Sequence, residues 1–182
     1  MSASNVDFKR LVAIRTGGAT ERCHSIRHHG SYSVSQHTWG MMCLLYVLWP
    51  EDYPRLAAVA MFHDVPEAWV GDIPAPTKRY SKEVKQACDK LEVSIFRRLQ
   101  LPHDMGLSED DKAKLKACDH LELYAWANEQ VTGGNAHASC ILRELDRFFS
   151  ETQLPSRAYQ MYIEMCGNQM RHDTDGLIKE IT

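Results

Sequence analysis

Apolar residues recur along this chain at the three-to-four-residue spacing of one helix face, and the strict alternation of a half-buried strand is almost absent. That pattern predicts an all-α fold with helices at about 5–15, 35–49, 54–64, 81–100, 108–130, 135–150 and 156–166. The breaks between them hold residues that stop or start helices. Gly17-Gly18 follows the first segment, Pro50 closes the second, Pro54 opens the third, and Gly133-Gly134 separates two late ones. Ser81 and Ser108 precede polar first turns, where a side-chain oxygen caps free backbone N–H groups. Two stretches fit worst: residues 17–34, GGATERCHSIRHHGSYSV, and residues 65–80, VPEAWVGDIPAPTKRY, the latter with three prolines and a glycine. Both read as loops, and long loops in a compact chain are where function concentrates.

Polar residues interrupt three apolar faces. His37 shares a face with Met41, Leu44 and Leu48, at i+4, i+7 and i+11. His63-Asp64 closes the segment PRLAAVAMFHD, in which Leu56, Val59, Ala60 and Phe62 supply the core face, and Asp119 shares a face with Leu115, Glu122 and Trp126. Burying an imidazole beside a carboxylate is costly unless a partner compensates them, and a divalent cation is such a partner. Two imidazoles and two carboxylates make a nitrogen–oxygen donor set that suits Mn²⁺, Fe²⁺, Co²⁺, Ni²⁺ or Zn²⁺, with positions left for water and a substrate oxygen. Singly, each piece has an ordinary reading: a satisfied core histidine, a chance dipeptide, an Asp119 paired with Lys116. The joint break of three helix faces is what favours a shared cation.

Composition narrows the setting. With 182 residues and 44% of them hydrophobic, the chain suffices for a single domain spanning 1–182. Twenty-one Lys and Arg against 24 Asp and Glu give a net charge of −3 without a charged tail, so any grip on an anion is local and no nucleic-acid polymer is expected as partner. The start, MSASNVDFKR, lacks an apolar signal core, and the longest apolar stretch, Met41 to Trp49, is too short to cross a bilayer. Six scattered cysteines without a Cys-x-x-Cys read as buried, reduced thiols, so a cytoplasmic protein with no membrane partner is expected.

The order His, then His-Asp, then Asp, all on helices, resembles the HD-domain phosphohydrolase superfamily, most nearly the YfbR-like 5′-deoxynucleotidases and phage dATP triphosphohydrolases. The motifs are SVSQHTWG around His37, MFHDVPEAWVGDIPAPTK from Met61 to Lys78, and KACDHLE from Lys116 to Glu122. The middle block is the most specific, with a Glu three residues after His-Asp and then Gly-Asp-x-Pro-x-Pro-x-Lys. The resemblance covers about residues 20–130 and leaves further helices over 135–182. It implies a compact HD-domain bundle in which His37, His63, Asp64 and Asp119 hold a divalent ion (Co, Mn, Zn, Ni, Fe or Mg). It also implies cleavage of the ester between the α-phosphate and O5′ of a deoxynucleotide.

Within that frame Glu67, one helical turn beyond Asp64, is expected to orient and deprotonate the attacking water. Asp72 is expected to protonate the leaving O5′ or hold a sugar hydroxyl. Taken alone, Glu67 also reads as a helix start after Pro66, and Asp72 as turn chemistry after Gly71. Arg22 and Lys78 are the expected phosphate binders. Arg22 matches an arginine that the nucleotidase relatives carry ahead of the first histidine. Those relatives often place Trp next, whereas this chain has Cys23, so their way of sensing sugar or base does not carry over. Ile26 and Pro76 read as base-pocket walls or as packing, and His24, His28 and His29 more readily as solvated loop residues than as phosphate contacts. The segments RCHS and SYSVSQHTWG and the short chain lean toward a dNTP triphosphohydrolase. A 5′-deoxynucleotidase acting on dNMPs is the alternative, and a non-hydrolytic nucleotide sensor a further one, against which Glu67 argues. Homo-oligomers are implied by the relatives, while Phe96, Phe148, Phe149, Tyr159, Met161, Tyr162 and Met165 read equally as core or interface.

Overall fold

A computed structural model describes residues 3–104 and 106–167; the part of the expected C-terminal helical region that lies in 168–182 falls outside the described residues. The elements are α1 (Ala3–Gly18), α2 (Val34–Leu48), α3 (Tyr53–Phe62), α4 (Glu67–Val70), α5 (Ala75–Tyr80), α6 (Lys82–Leu99), α7 (Glu109–Thr132), α8 (Ser139–Glu151) and α9 (Ser156–Gly167), with a 3₁₀ turn at Ala136–Ala138 leading into α8. Among the described residues the only strand-like pairing is an isolated bridge between Glu21 and Ser33. The all-α expectation holds, and no described helix is long and apolar enough to cross a membrane.

Local chemistry sets the helix ends. Ser33 starts α2 with a capping box: its hydroxyl accepts from the Gln36 backbone N–H, and the Gln36 side chain accepts from the Ser33 N–H. Ser81 caps α6 and Ser108 caps α7 from one side only, each accepting from the N–H three residues on. The core is built on α2 and α7, with α3, α8 and α9 packed around them, and its centre is Met41, Leu45, Leu56, Ala60, Cys118, Leu121 and Phe149.

The structure departs from the pattern-based reading where prolines are dense. The helix expected over 54–64 ends at Phe62, and His63 and Asp64 sit in a tight turn closed by Val65 N–H to Phe62 O and Glu67 N–H to Asp64 O. Pro66 has no N–H to continue the α-helical ladder, which is the physical reason for the turn. The stretch 65–80 is not a loop but two short helices, α4 and α5. Gly71, at φ 83°, ends the first, and Pro74 and Pro76 lie at the start of the second, where a missing N–H costs nothing. The stretch 17–34 does stay irregular beyond Gly18. Its base is clasped by Arg22 N–H to Tyr32 O (2.7 Å) and Val34 N–H to Thr20 O (2.9 Å).

Two surface expectations change. All six cysteines are free, but only Cys118 is buried, so the scatter reflects unpaired thiols rather than core packing. Phe96, Phe149 and Met165 are core residues, Phe148, Met161 and Tyr162 pack against the core partly buried, and Tyr159 is exposed. Larger exposed apolar faces lie on α1, at Val6, Phe8, Leu11 and Val12, and on α2, at Trp39, Tyr46 and Val47.

Gly17 lets α1 brace the turn that carries Asp64. A Cβ at this position would stand 2.7 Å from both the Val65 carbonyl oxygen and its Cγ1. In an unconstrained helix Gly→Ala stabilises by up to about 1 kcal/mol. Here Gly17→Ala is expected to destabilise by about 1–3 kcal/mol, as overpacking does. A denaturant titration checks it; a midpoint unchanged or raised would show that the close approach constrains nothing.

Candidate metal centre and the cleft beside it

His37 comes from the first turns of α2, His63 and Asp64 from the turn after α3, and Asp119 from the middle of α7. His37 is fully buried, and its Nε2 lies 3.1 Å from Asp119 Oδ1 and 3.7 Å from Asp64 Oδ2. His63 Nε2 lies 3.1 Å from the same Asp64 oxygen. One ligand atom from each of His37, His63 and Asp119 falls within 4.8 Å of the others. The Nε2 atoms of both histidines are buried without a hydrogen-bond partner.

The tautomers are set from behind. His63 Nδ1 is 2.8 Å from the Ala60 carbonyl oxygen, which only accepts, so Nδ1 keeps its proton and Nε2 is the ring nitrogen that faces the cluster and can give its proton up to a cation. His37 Nδ1–H donates to Glu122 on α7, and the Tyr32 hydroxyl donates to the same carboxylate. Gly40 gives Glu122 its room, because a Cβ there would stand 2.5 Å from Glu122 Cγ. Two imidazole Nε2 atoms without hydrogen-bond partners, facing carboxylates at one interior point, form a donor set that fits a divalent cation once they are deprotonated.

Arg22 is the other charge at this point. Only 8% exposed, it is hydrogen-bonded to Asp64 and stands 3.8 Å from Glu67 Oε1 and 4.0 Å from Asp119 Oδ1. Burial works to raise the pKa of Asp64, but His63 and Arg22 outweigh it and hold the carboxyl well below the usual range. Asp119 is lowered in the same way, against its burial, chiefly by His37. Burial opposes charge on His63, yet Asp64 overrides it and raises the ring to about 9. Glu67 goes the other way: burial first, then Asp64, push it up to about 8, and its Oε2 has no hydrogen-bond partner.

A cleft of about 920 Å³ opens beside this point and brings together Arg22, Ile26, Asp64, Glu67, Asp72, Pro76, Lys78 and Asp119. A second cleft, of about 310 Å³, reaches Asp64 and Asp119 from another side and includes His63. Asp72 has a structural duty besides: its Oδ2 accepts from the Cys23 N–H at 2.6 Å, pinning that residue at the left-handed φ of 54° directly after Arg22. Partial burial raises the Cys23 thiol to about 12, so it stays a neutral thiol near neutral pH. His28 packs edge-on against Trp126 rather than standing in solvent, whereas His24 is exposed and 3.7 Å from Asp72. Tyr32 and Glu122 are participants that the sequence reading gave no role; the usable signal was a Glu one turn beyond Asp119 on the same face.

Two helices and the turn between them in sequence, delivering His, then His-Asp, then Asp to one interior point, define an HD-domain protein. Residues 14–166 match the family model described as YfbR-like, 5′-deoxynucleotidase YfbR-like, and the chain belongs to that family. A 5′-deoxynucleotidase of Vibrio vulnificus is 27% identical over 118 residues, covering 58% of this chain and 61% of the relative. One of Yersinia pestis is 28% identical over 122 residues, covering 60% and 62%. The chain thus spans about three-fifths of the length of these curated relatives. Among solved structures, the cyanophage S-2L HD phosphohydrolase DatZ, bound to dA and one catalytic Zn²⁺ ion, shares the fold with a TM-score of 0.61 at 15% identity, over 86% of this chain and 91% of that one.

Two outcomes follow from the geometry. His63 is raised from 6.5 to about 9, so near neutrality a proton must leave Nε2 before a cation can bind there. Apparent affinity for Mn²⁺ or Zn²⁺ is therefore expected to rise with pH through neutrality and level off above about 9, with proton release visible by calorimetry in buffers of different ionisation enthalpy. A pH-independent affinity would contradict this. Glu122→Ala, which removes the acceptor behind His37, is expected to weaken cation binding about 10–100-fold. Chelator competition on folded protein measures it, and affinity equal to wild type would reduce Glu122 to packing.

Proposed function

We propose that this chain is a divalent-cation-dependent phosphohydrolase that breaks the bond between the α-phosphorus and O5′ of a deoxynucleotide and releases the deoxynucleoside. One observation carries the reading: the unpartnered carboxylate oxygen of Glu67 lies buried beside the histidine–aspartate cluster, in the lining of a cleft of about 920 Å³, a size that takes a nucleotide. A sensor that only binds has no use for such a base. The chain works as one domain, in the cytoplasm or in a host's cytoplasm if phage-encoded, in keeping with six unpaired thiols. The exposed apolar faces of α1 and α2 suit a homo-oligomer.

In this reading His37, His63, Asp64 and Asp119 hold the cation, which when bound neutralises charge on the phosphoryl oxygens as a Lewis acid. Arg22 adds a fixed guanidinium at the same oxygens, and Lys78 a mobile ammonium. Ile26 and Pro76 flank the base. Glu67 accepts a proton at Oε2 from the attacking water, and its pKa of about 8 suits a group that takes and passes on a proton near neutrality. As the water oxygen bonds to the α-phosphorus, the P–O5′ bond breaks and O5′ gains a proton. Asp72, on the same cleft, delivers that proton or holds the neighbouring sugar hydroxyl.

The substrate we favour is a dNTP, with triphosphate as the second product; a dNMP, giving phosphate, is the alternative that the names of the curated relatives support. Incubation of the cation-loaded protein with each dNMP and dNTP, with products separated by chromatography, tests the reading. Release of no deoxynucleoside from any of them would end it. Glu67→Gln is expected to keep cation and nucleotide binding and to lose turnover by about 10²–10⁴-fold. Loss of the cation in that variant would make Glu67 a ligand instead of a base.

A further inference from the structure

The large cleft is electrically divided. Beside the histidine–aspartate cluster its lining holds Asp64, Glu67, Asp72 and Asp119, partly offset by Arg22. The lining contributed by the end of α5 and by α8 holds Arg79, Arg143 and Arg147 against Glu144 and Glu151, three cations to two carboxylates, with Lys78, a charge neighbour of Glu67, between the two parts. In a chain of net charge −3 this is a local reversal of sign.

The basic part is organised around Glu144. Arg79 donates to its Oε2 from α5 at 2.7 Å, and Arg147 donates to the same oxygen from one turn along α8 at 2.7 Å. Two guanidiniums, with side chains 52% and 56% exposed, thus share one carboxylate oxygen and keep most of their N–H donors open. Among the described residues, neither Lys78 nor Arg143 has a salt-bridge partner. An α-phosphate placed over the acidic part with its cation leaves this basic part unneutralised. Further phosphates leading outward from it bring the charge and the acceptor oxygens that guanidinium forks bind.

We propose that Arg79, Arg143 and Arg147 form a subsite for the β- and γ-phosphates of a deoxynucleoside triphosphate, with Glu144 as the counter-ion those phosphates displace. This deepens the α-phosphorus reading above and rests on it. It places the choice between mono- and triphosphate on α8 and the end of α5, outside the residues that hold the cation.

The test uses the full-length, cation-loaded protein and an Arg143→Gln/Arg147→Gln double variant, whose folding is checked by circular dichroism. Steady-state kinetics give KM for a dNTP and for the matching dNMP. Calorimetry gives the affinity of inorganic triphosphate and of orthophosphate, with excess Mg²⁺ present throughout. Wild type is expected to bind inorganic triphosphate more tightly than orthophosphate. The variant is expected to lose that difference and to raise KM for the dNTP by about tenfold or more beyond any change for the dNMP, the scale of a lost charge-assisted hydrogen bond. Equal changes for both nucleotides, or none, would overturn the subsite while leaving deoxynucleotide hydrolysis standing. If wild type turns over no deoxynucleotide but the variant still loses triphosphate binding, the subsite stands and the reaction reading falls.

Discussion

Three carboxylates, Asp64, Glu67 and Asp119, lie within 4.0 Å of one buried guanidinium, and the architecture is organised by the need to hold that much charge inside a helical bundle. Burying an ion costs several kcal/mol even after relaxation, so each one needs a partner that the fold itself delivers. Arg22 arrives on a loop, His37 on α2 and His63 on a turn, each attached to the core by a separate element. The compensation is uneven. Asp64 and Asp119 end up more acidic than usual, while Glu67, one turn further on and poorer in partners, is pushed toward protonation. Nearby carboxylates whose environments drive their pKa values apart are what a site needs to hold a cation with some and move a proton with another.

The backbone supplies this separation with few residues. Pro66 stops the α-helical ladder and converts what would be one long helix into a turn and α4, which puts Asp64 and Glu67 at one place in two conformational settings. Gly17 admits α1 against that turn, and Gly40 admits Glu122 against α2. The two sites of close approach brace the same constellation, one beneath the aspartate and one behind the histidine.

The sequence was most legible where the physics is periodic. Helix faces broken at His37 and Asp119 marked residues that do converge, and the capping serines at 81 and 108 marked true helix starts. It was least legible where proline means two things: Pro66, Pro74 and Pro76 read as a loop, yet a proline is also a good first residue of a helix. Asp72 could not be seen to hold Cys23, because a contact between residues 49 positions apart has no periodic trace. For the same reason nothing in the sequence marked Tyr32, and the exposed apolar residues of α1 and α2 could not be told from core.

Tyr32 stacks on Trp126 with ring centroids 4.3 Å apart, lies under the Arg22 guanidinium at 5.8 Å, and shares Glu122 with His37. One ring therefore ties the Arg22 loop, α2 and α7 into a single mechanical unit. That side of the cleft behaves as an anvil: moving the loop to admit a ligand would also drag on the carboxylate that orients His37. The opposite lip is bridged by the ion pair of Arg79 with Glu144, about half-exposed on both sides, a contact that water replaces at little cost.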